Sequence, residues 1–197
     1  MRLRKEVRAR WPRPTFSDTE TKNNNHNNNN NENPLLSQIE NIPYLRAVVD
    51  EVLRIHPATI VSQREARQGV TMTGIPIPKG TMLVIPPIAT NLNTWIWVDN
   101  VAAFGLDRWL QGKPASRSTT AGGGCQQTCS IMTFGLGPQG CPGRSVTRLI
   151  LMCMAAAFVN KYEVSLEDPL QDFVPSEALS TFPTPELVVR LVKVSEP

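Results

Sequence analysis

Histidine is nearly absent from this sequence: His26 and His56 are the two, and His26 sits inside the asparagine-rich tract NNNHNNNNNEN at 23–33. With so little imidazole, neither a Ser-His-Asp triad nor a histidine-rich metal site has its parts. Cysteine is scarce too. Cys125, Cys129, Cys141 and Cys153 do not resemble a disulfide framework and follow no secretory leader, so a reducing compartment is expected. Long apolar runs are missing. The strongest, LILMCMAAAFV at 149–159, falls short of the roughly 20 residues that span a bilayer. The uncharged stretch 81–98 is broken by Pro86, Pro87, Asn91 and Asn93. No membrane anchor is read in this chain. Strong charge of one sign is lacking as well, at 20 Lys and Arg against 17 Asp and Glu, and much of the basic share lies in the opening MRLRKEVRAR. Nucleic acid is therefore not expected as a partner. What remains is 41% hydrophobic residues in 197, ordinary for one globular core.

Along the chain, residues 1–12 read as the end of a preceding amphipathic helix, stopped by Trp11, Pro12 and Pro14. Residues 13–34 form an asparagine-rich insert expected to be disordered, because it holds too little apolar surface to order itself. The folded body spans 35–197. Pro43 predicts the start of a helix carrying Leu45, Val48, Val49 and Val52 at helical spacing, ended by Pro57, with His56 as its structural terminus. The runs ATIVSQREA, VTMTG, IPIPKG and TMLVIPPI, punctuated by Gly and Pro, predict a small antiparallel sheet. Residues 89–133 read as packed coil with a flexible STTAGGG piece. A helix apolar nearly all round follows Cys141 and is expected to be centrally buried. YEVSLE and ELVVRLVKV predict two closing strands.

The segment FGLGPQGCPGR, Phe134 to Arg144, places a lone cysteine after a glycine-rich loop and before a helix whose first residue is expected to be Pro142. A helix N-terminus offers partial positive charge and free N–H groups that favour a thiolate, and glycines let a flat cofactor approach the backbone. A phosphate loop fits worse, since no Gly-Lys-Ser/Thr follows. Read from residues alone, Cys141 could also be a buried cysteine beside a glycine turn.

Phe134, Gly137, Cys141 and Gly143 reproduce the Phe-x-x-Gly-x-x-x-Cys-x-Gly signature of the cytochrome P450 family. Glu51 and Arg54 in EVLR, followed by His56 and Pro57, match its Glu-x-x-Arg helix. FGLDRW at 104–109 resembles its meander, with Arg108 as the third charge of the set. The resemblance covers essentially residues 35–195. It implies a mainly α fold with small antiparallel β-sheets (α+β), the C-terminal half of the P450 fold, truncated. It also implies haem (iron protoporphyrin IX) with Cys141 as axial thiolate and metal ligand, and a monooxygenase. Cofactor contacts would come from Phe134, Gly137, Gln139, Gly143 and Arg64, the last at a propionate. By itself Arg64 reads as an exposed strand arginine.

An i, i+3 pair such as Glu51 and Arg54 would ordinarily be a solvated surface pair of little worth. The resemblance makes it, with Arg108, a buried network that fixes the cofactor loop. It further implies electrons from NADPH through a cytochrome reductase type donor, and a small organic substrate. For a full-length relative it implies an intracellular endoplasmic-reticulum membrane location. The strand around Val61 and the turn Thr181 to Pro183 resemble pocket-lining places. Gln139 stands where the family commonly carries Arg or His, and Leu106 replaces the usual meander proline. The family's distal helix would lie before residue 1, so a truncated form is expected. The alternatives are a non-catalytic haem-binding remnant and a zinc or redox module built from Cys125, Cys129, Cys141 and Cys153.

Overall fold

The computed structural model describes residues 2–10, 38–59, 61–97, 100–110, 131–168, 174–175, 180–181 and 183–194. The asparagine-rich insert, the STTAGGG piece, Cys125 and Cys129 lie outside the described residues. Helix α1 (Arg2–Arg10) buries Val7. Helix α2 (Pro43–Ile55) begins where its sequence predicts, with Pro43 in the first turn, where a missing N–H costs no hydrogen bond. It ends at His56, before Pro57, because the proline ring disfavours helical backbone in the residue preceding it.

Strand β1 (Ser62–Glu65) pairs antiparallel with β4 (Met82–Ile85), and β2 (Val70–Met72) with β3 (Ile75–Ile77) between them in sequence. These are two separate two-stranded sheets, where the sequence suggested one. Thr73 and Gly74, both at positive φ, turn β2 into β3. The run TMLVIPPI does not continue as strand past Ile85, for Pro86 and Pro87 start the short helix α3 (Pro87–Asn91). The stretch read as coil also contains α4 (Asp107–Leu110). After the 3-10 turn Gly137–Gln139 comes helix α5 (Arg144–Lys161). Strand β5 (Tyr162–Leu166) then pairs antiparallel with β8 (Val189–Lys193), and β6 (Val174–Pro175) pairs with β7 (Pro183–Thr184).

The core is made by α1, the segment leading into α2, α2 itself and α5, which bring together Val7, Ile39, Ile42, Leu45, Val49, Leu53, Met152 and Ala156. Helix α1 also closes the far end of α5. Arg4 donates to the carbonyls of Val159 (2.8 Å) and Tyr162 (2.9 Å), and Arg8 to that of Asn160 (3.3 Å). Carbonyls of a helix's last turn have no partner within the helix, so these arginines supply it.

Two expectations for α5 are corrected. The helix begins at Arg144 with Gly143 as its N-cap, so Pro142 lies in the preceding turn and is not the first helical residue. The chain still has to fold back there, as the Arg144 N–H to Cys141 carbonyl contact of 3.3 Å shows. Nor is α5 buried all round. Met152 and Ala156 are buried, but Val146, Ile150, Met154 and Phe158, spaced four apart on one face, are 61, 51, 53 and 45% exposed. Helices α1 and α2 pack against the opposite side, and on this stripe Phe158 meets the Tyr162 ring of β5, 6.2 Å away.

Candidate functional site

Glu51 and Arg54 project from one side of α2 and are both 0% exposed, the reverse of what their spacing alone suggests. Arg54 meets Glu51 in a two-pronged pair, Nε to Oε2 and Nη2 to Oε1, each 2.8 Å. Its Nη1 donates to the carbonyls of Asn91 (2.9 Å) and Val101 (2.7 Å), and its flat face lies 5.3 Å from the centre of the buried Trp97 ring. Glu51 is further held from the meander side. Oε1 accepts the Gly105 N–H (2.8 Å), and Oε2 accepts the Trp109 indole N–H (2.9 Å). Arg108 Nε lies 3.1 Å from Oε1, while the same guanidinium donates to the carbonyls of Gly105 (3.1 Å) and Ala103 (3.3 Å). The structure thus joins the predicted set Glu51, Arg54 and Arg108. Burial pushes the Glu51 carboxyl up. The Arg54, Gly105 and Trp109 hydrogen bonds and the Arg54 charge outweigh it and hold the carboxyl below its ordinary value.

The buried ion network is joined to the segment entering the cysteine loop by a residue whose role sequence reading missed. Asn91 is fully buried; its Oδ1 accepts the Met132 N–H (2.8 Å), and its Nδ2 donates to Thr133 Oγ1 (2.9 Å). Thr133 Oγ1 in turn donates to the Leu53 carbonyl at 2.5 Å. The signal available was an asparagine among the apolar residues of the uncharged stretch 81–98, shared with Asn93. Trp97 and Trp109, 5.5 Å apart, were visible only as irregularly placed aromatics.

The loop itself folds back on its own backbone. Gly135 and Gly137 take positive φ (67° and 72°), and the Cys141 N–H donates to the Phe134 carbonyl at 2.8 Å. A Cβ at Gly140 would stand 3.1 Å from the Gly137 carbonyl oxygen, so the tight turn favours this glycine, which is outside the recognised signature, as well. Phe134 packs on the core that α2 and α5 share. Cys141 is a free thiol, exposed at the mouth of α5. Gly143 caps that helix, and Gln139 is exposed in the 3-10 turn.

Behind the loop, α2 and α5 flank a cleft of about 280 Å³, walled by Leu53, Trp109 and Phe134 and edged by Asp50, Arg144 and Arg148. Arg148 Nη2 reaches both carboxylate oxygens of Asp50 across it, each at 2.5 Å. Burial pushes the Asp50 carboxyl up, and the charges of Arg148, Arg46 and Arg144 only partly offset that.

Arg64 is apart from this cluster, exposed on β1 with Nη1 donating to the Gln63 carbonyl (2.7 Å). Thr181 donates to the carbonyls of Ala58 (3.0 Å) and Pro57 (3.0 Å), which seats the Thr181 turn beside the segment leading to Val61. Cys153 lies in α5, its thiol pushed up by burial and by the charge of Glu40. Among the described residues no group of His, Cys, Asp and Glu could hold a metal ion by itself, and no helix is long and apolar enough to cross a membrane.

The cytochrome P450 family profile matches residues 18–190. The chain is 28% identical over 190 residues to cytochrome P450 monooxygenase ptmK of Penicillium ochrochloron, covering 96% of this chain and 34% of that protein. It is 33% identical over 169 residues to cytochrome P450 monooxygenase sphH of Aspergillus fumigatus, covering 85% of this chain and 28% of that protein. Its fold matches the crystal structure of the cytochrome P450 CYP102L1 with a TM-score of 0.71 at 23% identity, over 98% of this chain and 37% of that one. The chain therefore spans about a third of the length of the proteins it matches.

Proposed function

The chain belongs to the cytochrome P450 family, and from that premise we propose that it forms the thiolate-bearing part of a haem monooxygenase, with Cys141 as the axial ligand. The residues fit the group on their own geometry. Cys141 offers an exposed, unpaired sulfur at the start of α5, and the loop before it presents backbone without side chains at Gly135, Gly137 and Gly140. A Cβ at Gly137 would meet nothing within 4 Å, which leaves that side of the loop open to a flat cofactor.

When bound, haem would supply dioxygen activation, one oxygen atom entering a substrate C–H bond and the other leaving as water, with two electrons and two protons consumed. The chain's own residues do the rest. Cys141 would hold the iron through its sulfur and supply electron density to it. The Phe134 carbonyl holds the Cys141 amide, which sets the direction of the loop. Glu51, Arg54, Gly105 and Trp109 hold meander to helix, and Asn91 holds the loop's entry. Arg64, exposed on β1, is the candidate for a propionate. Gln139 can offer such a group hydrogen bonds but no charge. Electrons from NADPH would arrive through a reductase, and the Val61 and Thr181 segments would border the substrate.

The observation that carries this reading is the exposed Cys141 thiol on a loop locked to a fully buried ion network. The test is the absorbance of the haem-reconstituted chain, reduced and exposed to carbon monoxide. A red-shifted thiolate-type band, lost in Cys141→Ala, is the expected result; binding that is indifferent to Cys141 would sink the assignment.

A further inference from the structure

Asp50 and Glu51 are consecutive on α2 yet face different partners: Glu51 holds the meander, and Asp50 reaches across the cleft to Arg148 on α5. We infer that Asp50, acting through Arg148, is a positioning residue for the Cys141 sulfur. Arg148 lies seven residues beyond Cys141, just over one turn into α5. On the first two turns of α5 Val146 and Ile150 are exposed while Leu149 and Leu151 are half-buried, so apolar packing holds this end less than the middle of the helix. The buried contacts of α5 lie further along, at Met152 and Ala156, and its far end is fastened by Arg4 and Arg8. Phe134 anchors the loop before Cys141 to the core, and the Asp50 to Arg148 strut ties the first turns of α5 to α2 across the cleft.

Arg148 engages both carboxylate oxygens with the single nitrogen Nη2, so a lysine ammonium could serve in its place. Asp50 is buried at a desolvation cost, which suits a positional role for the pair better than a stabilising one.

This inference rests on Cys141 being the ligand, and the experiment separates the two. Amide exchange is compared along α5 in the wild type, in Asp50→Leu/Arg148→Met and in Arg148→Lys, together with the reduced carbon monoxide spectrum of each haem-loaded protein. The double variant should exchange about tenfold faster over residues 144–151 and keep its rate over 155–161, held by α1. It should also lose most of the thiolate-type band, which Arg148→Lys should keep. If the double variant fails to fold, Arg148→Met alone is read against Arg148→Lys. Unchanged exchange over 144–151 with an intact band overturns the proposal. A wild type without the band would instead count against Cys141 as ligand, and the exchange comparison would still decide whether the strut holds this end of α5.

Discussion

Glu51 and Asp50 share a helix and differ in how protons bear on them. For Glu51 the folded carboxyl lies below its ordinary 4.5, so its contribution is fully present above that value and is lost as pH falls through the lower folded one. The folded Asp50 carboxyl lies above its ordinary 3.8, so its contribution is present below that value and is lost as pH rises through the folded one. Chemical unfolding of Glu51→Gln and Asp50→Asn between pH 3 and pH 7 should show this opposition. Glu51→Gln should cost about 3 kcal/mol at pH 7, since it leaves two guanidiniums facing a neutral amide, and the gap to the wild type should narrow on acidification. Asp50→Asn, which keeps an acceptor for Arg148 while shedding a buried charge, should change stability by under about 1 kcal/mol at pH 7. Trp109→Phe keeps the ring but removes the indole donor to Glu51, and a loss of about 1 to 2 kcal/mol is expected by the same measurement.

Among the elements, the loop before α5 is where small changes should act on the cofactor without unfolding the chain. Gly140→Ala places a methyl 3.1 Å from the Gly137 carbonyl, so the turn must open by a few tenths of an ångström. Gly137→Ala meets no atom but keeps a positive φ that costs roughly 1 kcal/mol. Titration with haem should show weaker binding for both, and thermal unfolding should move little, because the loop is largely exposed. The signature residues of this loop were legible in the sequence, as were α2 and its proline stops, because Pro and Gly act locally on backbone geometry. The start of α5 was misjudged for the same reason: Pro142 suits a first helical position, but Cys141 and Pro142 are used in the turn that leads into it. Burial of Glu51 and Arg54 was not readable from their spacing, which fits a surface pair equally well. It depends on Asn91, Val101 and Trp97 arriving from distant parts of the chain.

For the whole molecule, the α+β class and the family motifs were legible, while the extent of the core was not. Apolar composition predicted a buried α5, yet composition does not tell which neighbours a helix has. Its open face, Val146, Ile150, Met154 and Phe158, is accompanied by exposed Val164, Leu166, Leu191 and Val192 on the β5 and β8 pair. The isolated chain should therefore bind an apolar dye and sediment with concentration-dependent association. Ile150→Lys with Met154→Lys should suppress both while leaving the thermal midpoint within a few degrees, since neither side chain is part of the core. If those changes unfold the chain, the stripe is packed after all.

Asn91 gives the molecule something like a strand one residue long. Its side-chain amide offers an oxygen to the Met132 N–H and an N–H to the Thr133 hydroxyl, much as a peptide group would along a ladder. A slip of the chain by one residue would break both contacts together, and Asn91→Asp would turn an oxygen toward a hydroxyl already donating to Leu53. The amide thus works as an index mark: it admits the segment entering the cysteine loop in one alignment, and so fixes how much chain remains to reach Cys141.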